Sequence, residues 1–182
     1  MAATYSPDGD PLAITANKDK LSLWNVATSQ LIKTFDGPKT QRLINKALPY
    51  GERIRDDVGP HPENVRAVKY SPDGETIAAI RHNESVQLWN ISTGKHLGKP
   101  IIPTTHYTTS IRYSPDGKTI ATMQISNRGD TVRLWNSATG KHIKTLKGHD
   151  KCSNSFTFSP DSKTIFTAHK GGTVLRWDIP KR

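Results

Sequence analysis

Apolar and polar residues alternate in short runs along most of the chain, and tight-turn sequences separate the runs. Val65–Tyr70 alternates, Ser71–Gly74 supplies a turn, Thr76–Ile80 forms a second run that is largely apolar, and Ser85–Ile91 forms a third. A period of two is typical of β-strands. Ser-Pro-Asp-Gly favours a tight turn because Pro fixes φ and Gly accepts a left-handed conformation. The pattern therefore predicts antiparallel strands joined by turns.

The same unit recurs four times. Its Tyr-Ser-Pro-Asp-Gly block, which becomes Phe-Ser-Pro-Asp-Ser in the last copy, begins at Tyr5, Tyr70, Tyr113 and Phe158. A Trp follows each block, at Trp24, Trp89, Trp135 and Trp177. Spacings of 43 and 45 residues between the later blocks predict one supersecondary unit stacked on copies of itself. We expect a single domain of repeats over about 1–36, 61–100, 104–147 and 149–182.

An insert of about 37–60 interrupts the repeats. It is rich in Pro and Gly and is predicted to be mostly loop, with one or two helical turns over Arg42–Leu48. In the second repeat, Lys95–Pro100 is predicted to begin a polar fourth strand.

These motifs together resemble the WD-repeat (WD40) β-propeller family. The resemblance rests on Ser-Pro-Asp-Gly after an apolar strand, then Leu-Trp-Asn or Arg-Trp-Asp, a Thr-Gly turn, and Leu-Lys-Gly-His at Leu146–His149. It implies an all-β fold in which each repeat supplies a four-stranded blade with the fourth strand outermost. Seven blades are usual in that family, so the four repeats are expected to form an open or partial propeller. A closed four-bladed ring is the alternative.

The resemblance also implies a supporting hydrogen-bond network in each blade. It joins the Trp of the third strand, a Ser or Thr of the second, an Asp of the following turn and the His of Gly-His. The structural candidates are Trp24, His61, Trp89, Thr122, Trp135, His149, Thr167 and Trp177. No repeat holds the whole set: Gly171 stands at the Asp position of the fourth repeat, and Ala79 at the hydroxyl position of the second.

Composition argues against an enzyme or a disulfide scaffold. The chain of 182 residues has one Cys, which excludes an internal disulfide and favours a reducing compartment. Cys152 lies close to His149 in sequence, but no orienting group accompanies the pair, and no metal or nucleotide motif is present. We therefore expect no catalytic residues, no metal and no cofactor. With no signal peptide or membrane span evident, a cytoplasmic location is expected and a nuclear one stays open.

The remaining functions are binding functions, and a protein-interaction scaffold for proteins or peptides is the first. By resemblance, partner contacts gather on the face that bears the fourth-to-first and second-to-third strand connections. Those positions are Asn64, Arg66, His82, Tyr107, Thr109, Arg128, Asn154 and Lys170.

The alternative function is a basic module that binds nucleic acid or another polyanion. The formal charge of +10 motivates this alternative. The Lys and Arg residues are dispersed, however, and Lys on outer strands also opposes edge-to-edge aggregation. Nucleic acid is therefore the weaker expectation.

An open arc would leave one sheet face bare at each end. Its relief is expected to be self-association or docking onto the missing half of a propeller. At the C-terminal end that face belongs to the blade whose apolar residues are Phe156, Phe158, Ile165, Phe166, Val174 and Trp177, of which only some can be buried against the third blade.

Overall fold

In a computed structural model of the chain, every regular element among the described residues is a β-strand. The structure describes residues 3–7, 12–17, 20–25, 27–36, 65–81, 86–98, 107–125, 130–147, 153–169 and 172–180. The insert of about 37–60, with its expected helical turns, lies outside these residues.

Thirteen strands of the described residues form four antiparallel sheets, which we number as blades in chain order. Blade 1 contains β1 (Leu12–Asn17), β2 (Lys20–Asn25) and β3 (Gln30–Asp36). Blade 2 contains β4 (Val65–Tyr70), β5 (Thr76–Arg81) and β6 (Val86–Asn90). Blade 3 contains β7 (Tyr107–Tyr113), β8 (Thr119–Ile125), β9 (Thr131–Asn136) and β10 (His142–Leu146). Blade 4 contains β11 (Ser153–Phe158), β12 (Thr164–His169) and β13 (Val174–Asp178).

The last three blades share one register. In each, the aromatic residue that opens the Ser-Pro-Asp block pairs with an Ile of the next strand, and that Ile pairs with the repeat Trp. The three triplets are Tyr70–Ile77–Trp89, Tyr113–Ile120–Trp135 and Phe158–Ile165–Trp177. A shift of one residue would move every side chain to the other face of its sheet, so the common register keeps equivalent residues at equivalent packing positions.

The outer strand is regular in blade 1, where β3 pairs with β2, and in blade 3, where β10 pairs with β9. In blade 2 the prediction of a strand at Lys95–Pro100 is wrong for the described part: His96 forms a single bridge with Trp89. The physical reason is Gly98, whose φ of +67° departs from the extended conformation of a strand.

Three apolar clusters join the four blades in series. In each of the first three blades, a sheet face with Leu or Val side chains packs against the Trp-bearing face of the next blade. Leu21, Leu23 and Phe35 of blade 1 pack with Val68, Tyr70, Ile77, Ala79 and Trp89 of blade 2. Val86 and Leu88 pack with Ile111, Ile120 and Trp135 of blade 3. Val132, Leu134 and Leu146 pack with Phe156, Phe158, Ile165 and Trp177 of blade 4.

Lysines on the outer strands add polar links between blades. The ammonium group of Lys33, on β3, donates to the carbonyl oxygens of Ile91 at 3.1 Å and Ser92 at 2.7 Å in the turn that follows β6. Lys144 occupies the equivalent place on β10, and its Nζ lies 3.5 Å from the carbonyl oxygen of Asp178 in blade 4. The positive charge therefore caps carbonyl groups of the following blade in two of the three junctions.

The two ends of the series differ in polarity. On blade 1, Trp24, Leu31 and Ile32 are exposed large apolar residues. On the outer face of blade 4, Val174 is 60% exposed and Arg176 stands where Leu88 and Leu134 stand in blades 2 and 3. Arg176 pairs with Asp178 at 3.2 Å. The outer face of blade 4 is therefore more polar than the equivalent faces of blades 2 and 3.

The sequence predicts that only some of the apolar residues of blade 4 are buried against blade 3, and the structure shows which ones. Phe156, Phe158, Ile165 and Trp177 lie in the cluster shared with blade 3. Phe166 is half-buried and Val174 is exposed. The uncovered face is therefore less apolar than the residue composition of the blade suggests.

Candidate functional site

The Ser-Pro-Asp blocks build one kind of turn three times among the described residues. In blade 3 the hydroxyl of Ser114 donates to a carboxylate oxygen of Asp116 at 2.6 Å and accepts from the backbone N–H of Thr119 at 2.9 Å. The same carboxylate oxygen accepts from the N–H of Lys118 at 3.0 Å. Because Ser114 is fully buried, this hydroxyl satisfies groups that water cannot reach. The hydroxyls of Ser71 and Ser159 repeat the arrangement in blades 2 and 4.

Hydrogen bonding within the turn also sets the charge of its carboxylate. The Ser159 hydroxyl and the Lys163 N–H both donate to Asp161, and they hold its pKa below the usual value. The Asp161 carboxylate therefore stays negatively charged at neutral pH, and its two hydrogen-bond donors hold it in place.

Neighbouring turns stack along one face of the molecule, which we call the proline face. A methyl group on the Cα of Gly74 would lie 3.7 Å from Cδ of Pro7, and one on Gly117 would lie 3.7 Å from Cδ of Pro72. Between blades 3 and 4, the N–H of Asp116 donates to the Ser162 hydroxyl at 3.0 Å. The turns of the four blades therefore lie side by side along this face.

A pocket of about 310 Å³ opens on the proline face where the innermost segments of the four repeats end. We call it the central pocket. Its walls come from equivalent positions: Thr4, Lys69, Arg112 and Thr157; Tyr5, Tyr70, Tyr113 and Phe158; Pro7, Pro72 and Pro115, together with Ser71. Two cations, three phenol rings and the hydroxyls of Thr4, Ser71 and Thr157 therefore line one concave surface.

Two contacts fix the walls of the central pocket. The Tyr113 hydroxyl lies 3.1 Å from Oγ1 of Thr76. Burial raises the pKa of Tyr113 to about 12, so its phenol is neutral at physiological pH. The guanidinium carbon of Arg112 lies 5.8 Å from the centre of the Phe156 ring, within the range of a cation–π interaction.

Two acidic residues of this face line a second pocket, between blades 1 and 2. That pocket, of about 400 Å³, is lined by Asp73 and Glu75 together with Ser6, Tyr70, Gly74, Asn90, Ile91 and Ser92. The walls of the central pocket thus carry Lys and Arg, whereas the walls of the second pocket carry Asp and Glu.

The sequence carries a signal for the central pocket that lies outside the family resemblance. Lys69 and Arg112 both stand immediately before the Tyr of a Ser-Pro-Asp block. Because the blocks are in register, equivalent positions meet at the axis of the stack. A cation beside an aromatic residue in two successive repeats was the pattern to notice.

The structure places the candidates for the supporting network as follows. Nε1 of Trp135 donates to the Thr122 hydroxyl at 2.9 Å, and Nε1 of Trp177 donates to the Thr167 hydroxyl at 3.0 Å. Trp89 is fully buried, whereas Trp24 is 37% exposed. His61 and His149 lie outside the described residues.

Two kinds of residue that were not among the network candidates lie at or near the Trp rings: His residues that pack on the rings, and a buried Asp. His96 packs on Trp89 with ring centres 4.9 Å apart, and His142 packs edge-on against Trp135 at 5.2 Å. Asp130, immediately before β9, is buried at 3% exposure. The Thr-Gly-Lys-His sequence shared by His96 and His142 was the available signal for the first pair.

Three of the partner-contact candidates lie at strand ends opposite the Ser-Pro-Asp turns. Arg66, Tyr107 and Asn154 lie at the beginnings of β4, β7 and β11, whereas the Ser-Pro-Asp turns follow the ends of those strands. Thr109 is exposed, and its hydroxyl lies 3.4 Å from the carbonyl oxygen of Met123. Asn64, His82, Arg128 and Lys170 lie outside the described residues.

Neither a metal centre nor a membrane span is found in the described part of the chain. No group of three or more His, Cys, Asp or Glu side chains there could hold a metal ion. No helix there is long and apolar enough to cross a membrane.

Serially stacked antiparallel sheets, with shared turns at the inner strand ends, define the class of β-propeller blades. The family model "WD domain, G-beta repeat" matches residues 55–90 and 140–178. In these two segments the chain is therefore similar to WD repeats.

Comparisons with individual proteins agree with this class. The chain is similar to Actin-interacting protein 1 of Drosophila melanogaster, at 23% identity over 178 residues. That match covers 98% of the chain but 26% of the relative, so the chain spans about a quarter of the relative's length. Among solved structures, the computationally designed Ika4 protein has a TM-score of 0.68 at 19% identity, covering 98% of this chain and 90% of that one. This likeness concerns the fold alone.

Proposed function

We propose that the chain is a non-enzymatic scaffold that binds other proteins or peptides. The observation that carries the proposal is the central pocket, to which all four repeats contribute equivalent side chains. Three buried apolar clusters hold together the blades that carry those side chains. The binding surface is therefore preorganised. Preorganised concave sites lose less conformational entropy on binding than flexible segments do.

The opposite face is proposed as a second contact surface, through the eight positions named from the sequence. Arg66 and Tyr107 are its best anchors by residue type, because Arg and Tyr contribute contact area and hydrogen bonds together. Their backbones lie at neighbouring strand ends of blades 2 and 3. A cytoplasmic location suits such a scaffold.

Three kinds of partner follow from the observations. The relative's printed name states an interaction with actin, so an actin filament is one partner to test. A second partner to test is another copy of this chain, or further propeller blades, because blade 1 exposes large apolar residues that such a partner could cover. The formal charge of +10 favours the alternative function, binding of a polyanion such as nucleic acid.

Affinity purification from nuclease-treated lysate tests the scaffold proposal, with purified chain as bait and quantitative mass spectrometry as readout. The test variant carries Arg66→Ala and Tyr107→Ala. The control carries Lys95→Ala and Lys141→Ala, two exposed cations in the turns after β6 and β9. We expect a defined set of proteins on the wild type and the control, with part of that set lost from the test variant.

The same preparation distinguishes the other partners. Co-sedimentation with actin filaments tests the first, and sedimentation velocity at several concentrations tests self-association. Retention of proteins only when nuclease is omitted would favour the polyanion alternative. An empty protein set from the wild type, with binding of RNA or DNA instead, would refute the scaffold proposal.

A further inference from the structure

The charge of the central pocket selects its occupant. Lys69 and Arg112 line the pocket and are exposed, so their charges face solvent that a ligand can replace. Among the described residues of its walls there is no carboxylate, since Asp73 and Glu75 line the neighbouring pocket. The hydroxyls of Thr4 and Thr157 complete the set of equivalent positions and can donate to an anion. The occupant that complements these groups is an anion.

The rest of the wall is aromatic and apolar. Tyr5 is 65% exposed, and exposed Pro7, Pro72 and Pro115 surround the opening. Exposed Tyr and Pro surface gains contact area when an apolar group covers it. A bare inorganic anion would leave this area uncovered, whereas a polypeptide with an acidic residue beside apolar ones would cover it.

The size of the pocket limits the ligand further. A volume of about 310 Å³ is at the lower end of the range for ligand pockets, roughly 300–1,000 Å³. It accommodates one or two side chains. Proteins that bind single-stranded nucleic acid use a groove that follows several nucleotides and presents successive stacking platforms. A pocket that accommodates one or two side chains and presents two cations does not provide such a groove.

We propose that the central pocket binds an acidic side chain of a partner protein, presented in a short segment with adjacent apolar residues. This inference rests on the proposed scaffold function and assigns the chemistry of the partner. The carboxylate contacts Lys69 and Arg112, and neighbouring apolar side chains cover Tyr5 and the prolines. Arg112 is held beside the Phe156 ring, so its guanidinium is positioned before the ligand binds.

Fluorescence anisotropy with synthetic peptides tests the proposal. The probe is a labelled dodecapeptide of glutamate and leucine, and the matched peptide has glutamine at every glutamate position. The test variant carries Lys69→Gln and Arg112→Gln. The control carries Lys95→Gln and Lys141→Gln, which removes the same charge from cations that do not line the central pocket.

We expect the wild type to bind the acidic peptide and to bind the glutamine peptide at least about tenfold more weakly, since glutamine lacks the negative charge that Lys69 and Arg112 attract. The test variant should lose about tenfold in affinity for the acidic peptide, and the control should stay within about twofold. Arg112→Lys alone, which retains the charge, should keep most of the affinity. Circular dichroism checks that each variant retains its strands.

Four outcomes would overturn the proposal: no binding of the acidic peptide, equal losses in the two double variants, equal affinity for the glutamine peptide, or tighter binding of a twelve-nucleotide oligothymidylate that displaces the peptide. Displacement by inorganic phosphate at low millimolar concentration would also contradict it, because an ion alone would then suffice. Failure here is distinguishable from failure of the scaffold function. Partners retained in the affinity purification would still show protein binding, by another surface.

Discussion

Replacing Thr122 by Val should destabilise blade 3 by removing one buried hydrogen-bond acceptor. Nε1 of Trp135 donates to the Thr122 hydroxyl at 2.9 Å, Thr122 is fully buried and Trp135 is 7% exposed. Val has nearly the shape of Thr and suits a strand equally well. The indole N–H would lose its acceptor in a place that water does not reach, at a cost of about 1–3 kcal/mol.

Blade 4 supplies the matched control. Thr167→Val removes the same hydrogen bond, between Thr167 and Trp177 at 3.0 Å. Trp177 is only half-buried, so water can replace the lost acceptor, and a cost of about 0.5–1.5 kcal/mol is expected. Urea unfolding followed by Trp fluorescence and circular dichroism measures both variants, and the shift of the midpoint at unchanged slope gives the difference. A Thr167→Val loss equal to or larger than the Thr122→Val loss would refute the reasoning from burial.

Three further changes test separate features. Ser29, whose φ is +54°, stands where Gly140 stands in blade 3. Ser29→Gly should therefore stabilise the chain by about 0.5–1 kcal/mol, and Gly140→Ser should destabilise it by a similar amount. A urea midpoint that falls for Ser29→Gly or rises for Gly140→Ser would contradict this. The pKa of Tyr113 is raised from 10.0 to about 12, so its buried neutral phenol contributes stability that is fully present below pH 10 and is lost as pH rises towards 12. Stability of the wild type relative to Tyr113→Phe should therefore fall by on the order of 2–3 kcal/mol across that window, and a constant difference would exclude the effect. Arg176→Leu should promote self-association in sedimentation velocity because it makes the outer face of blade 4 apolar, whereas Arg176→Ser should not.

The repeat in the sequence predicts most of the fold because its register is physically constrained. The aromatic–Ile–Trp triplets, such as Tyr70–Ile77–Trp89, recur in three blades since a slip of one residue would expose an apolar face. The repeat does not predict how each edge strand ends. Gly98 converts the expected fourth strand of blade 2 into a single bridge through a local backbone conformation.

The candidate site was harder to predict because it is made between repeats. Lys69 and Arg112 are 43 residues apart and become neighbours in one pocket only when the blades stack. Resemblance to the family directs attention to the opposite face, and several of the positions it names, Asn64 and His82 among them, lie outside the described residues. Local patterns report which face of a strand is buried, whereas pocket chemistry depends on which equivalent positions converge.

Hydrogen exchange of the central strands tests most directly the claim that four blades are stacked in an open series. Four strands pair with a neighbour on both sides, namely β2, β5, β8 and β12. Their backbone amides are therefore comparable in hydrogen bonding and differ in how the blade is covered. β5 and β8 belong to blades flanked by another blade on both faces, whereas the described part of blades 1 and 4 has one such neighbour each. We predict that amides of β5 and β8 exchange at least about tenfold more slowly than those of β2 and β12. Equal protection of all four strands would contradict the open series and indicate that blades 1 and 4 cover each other.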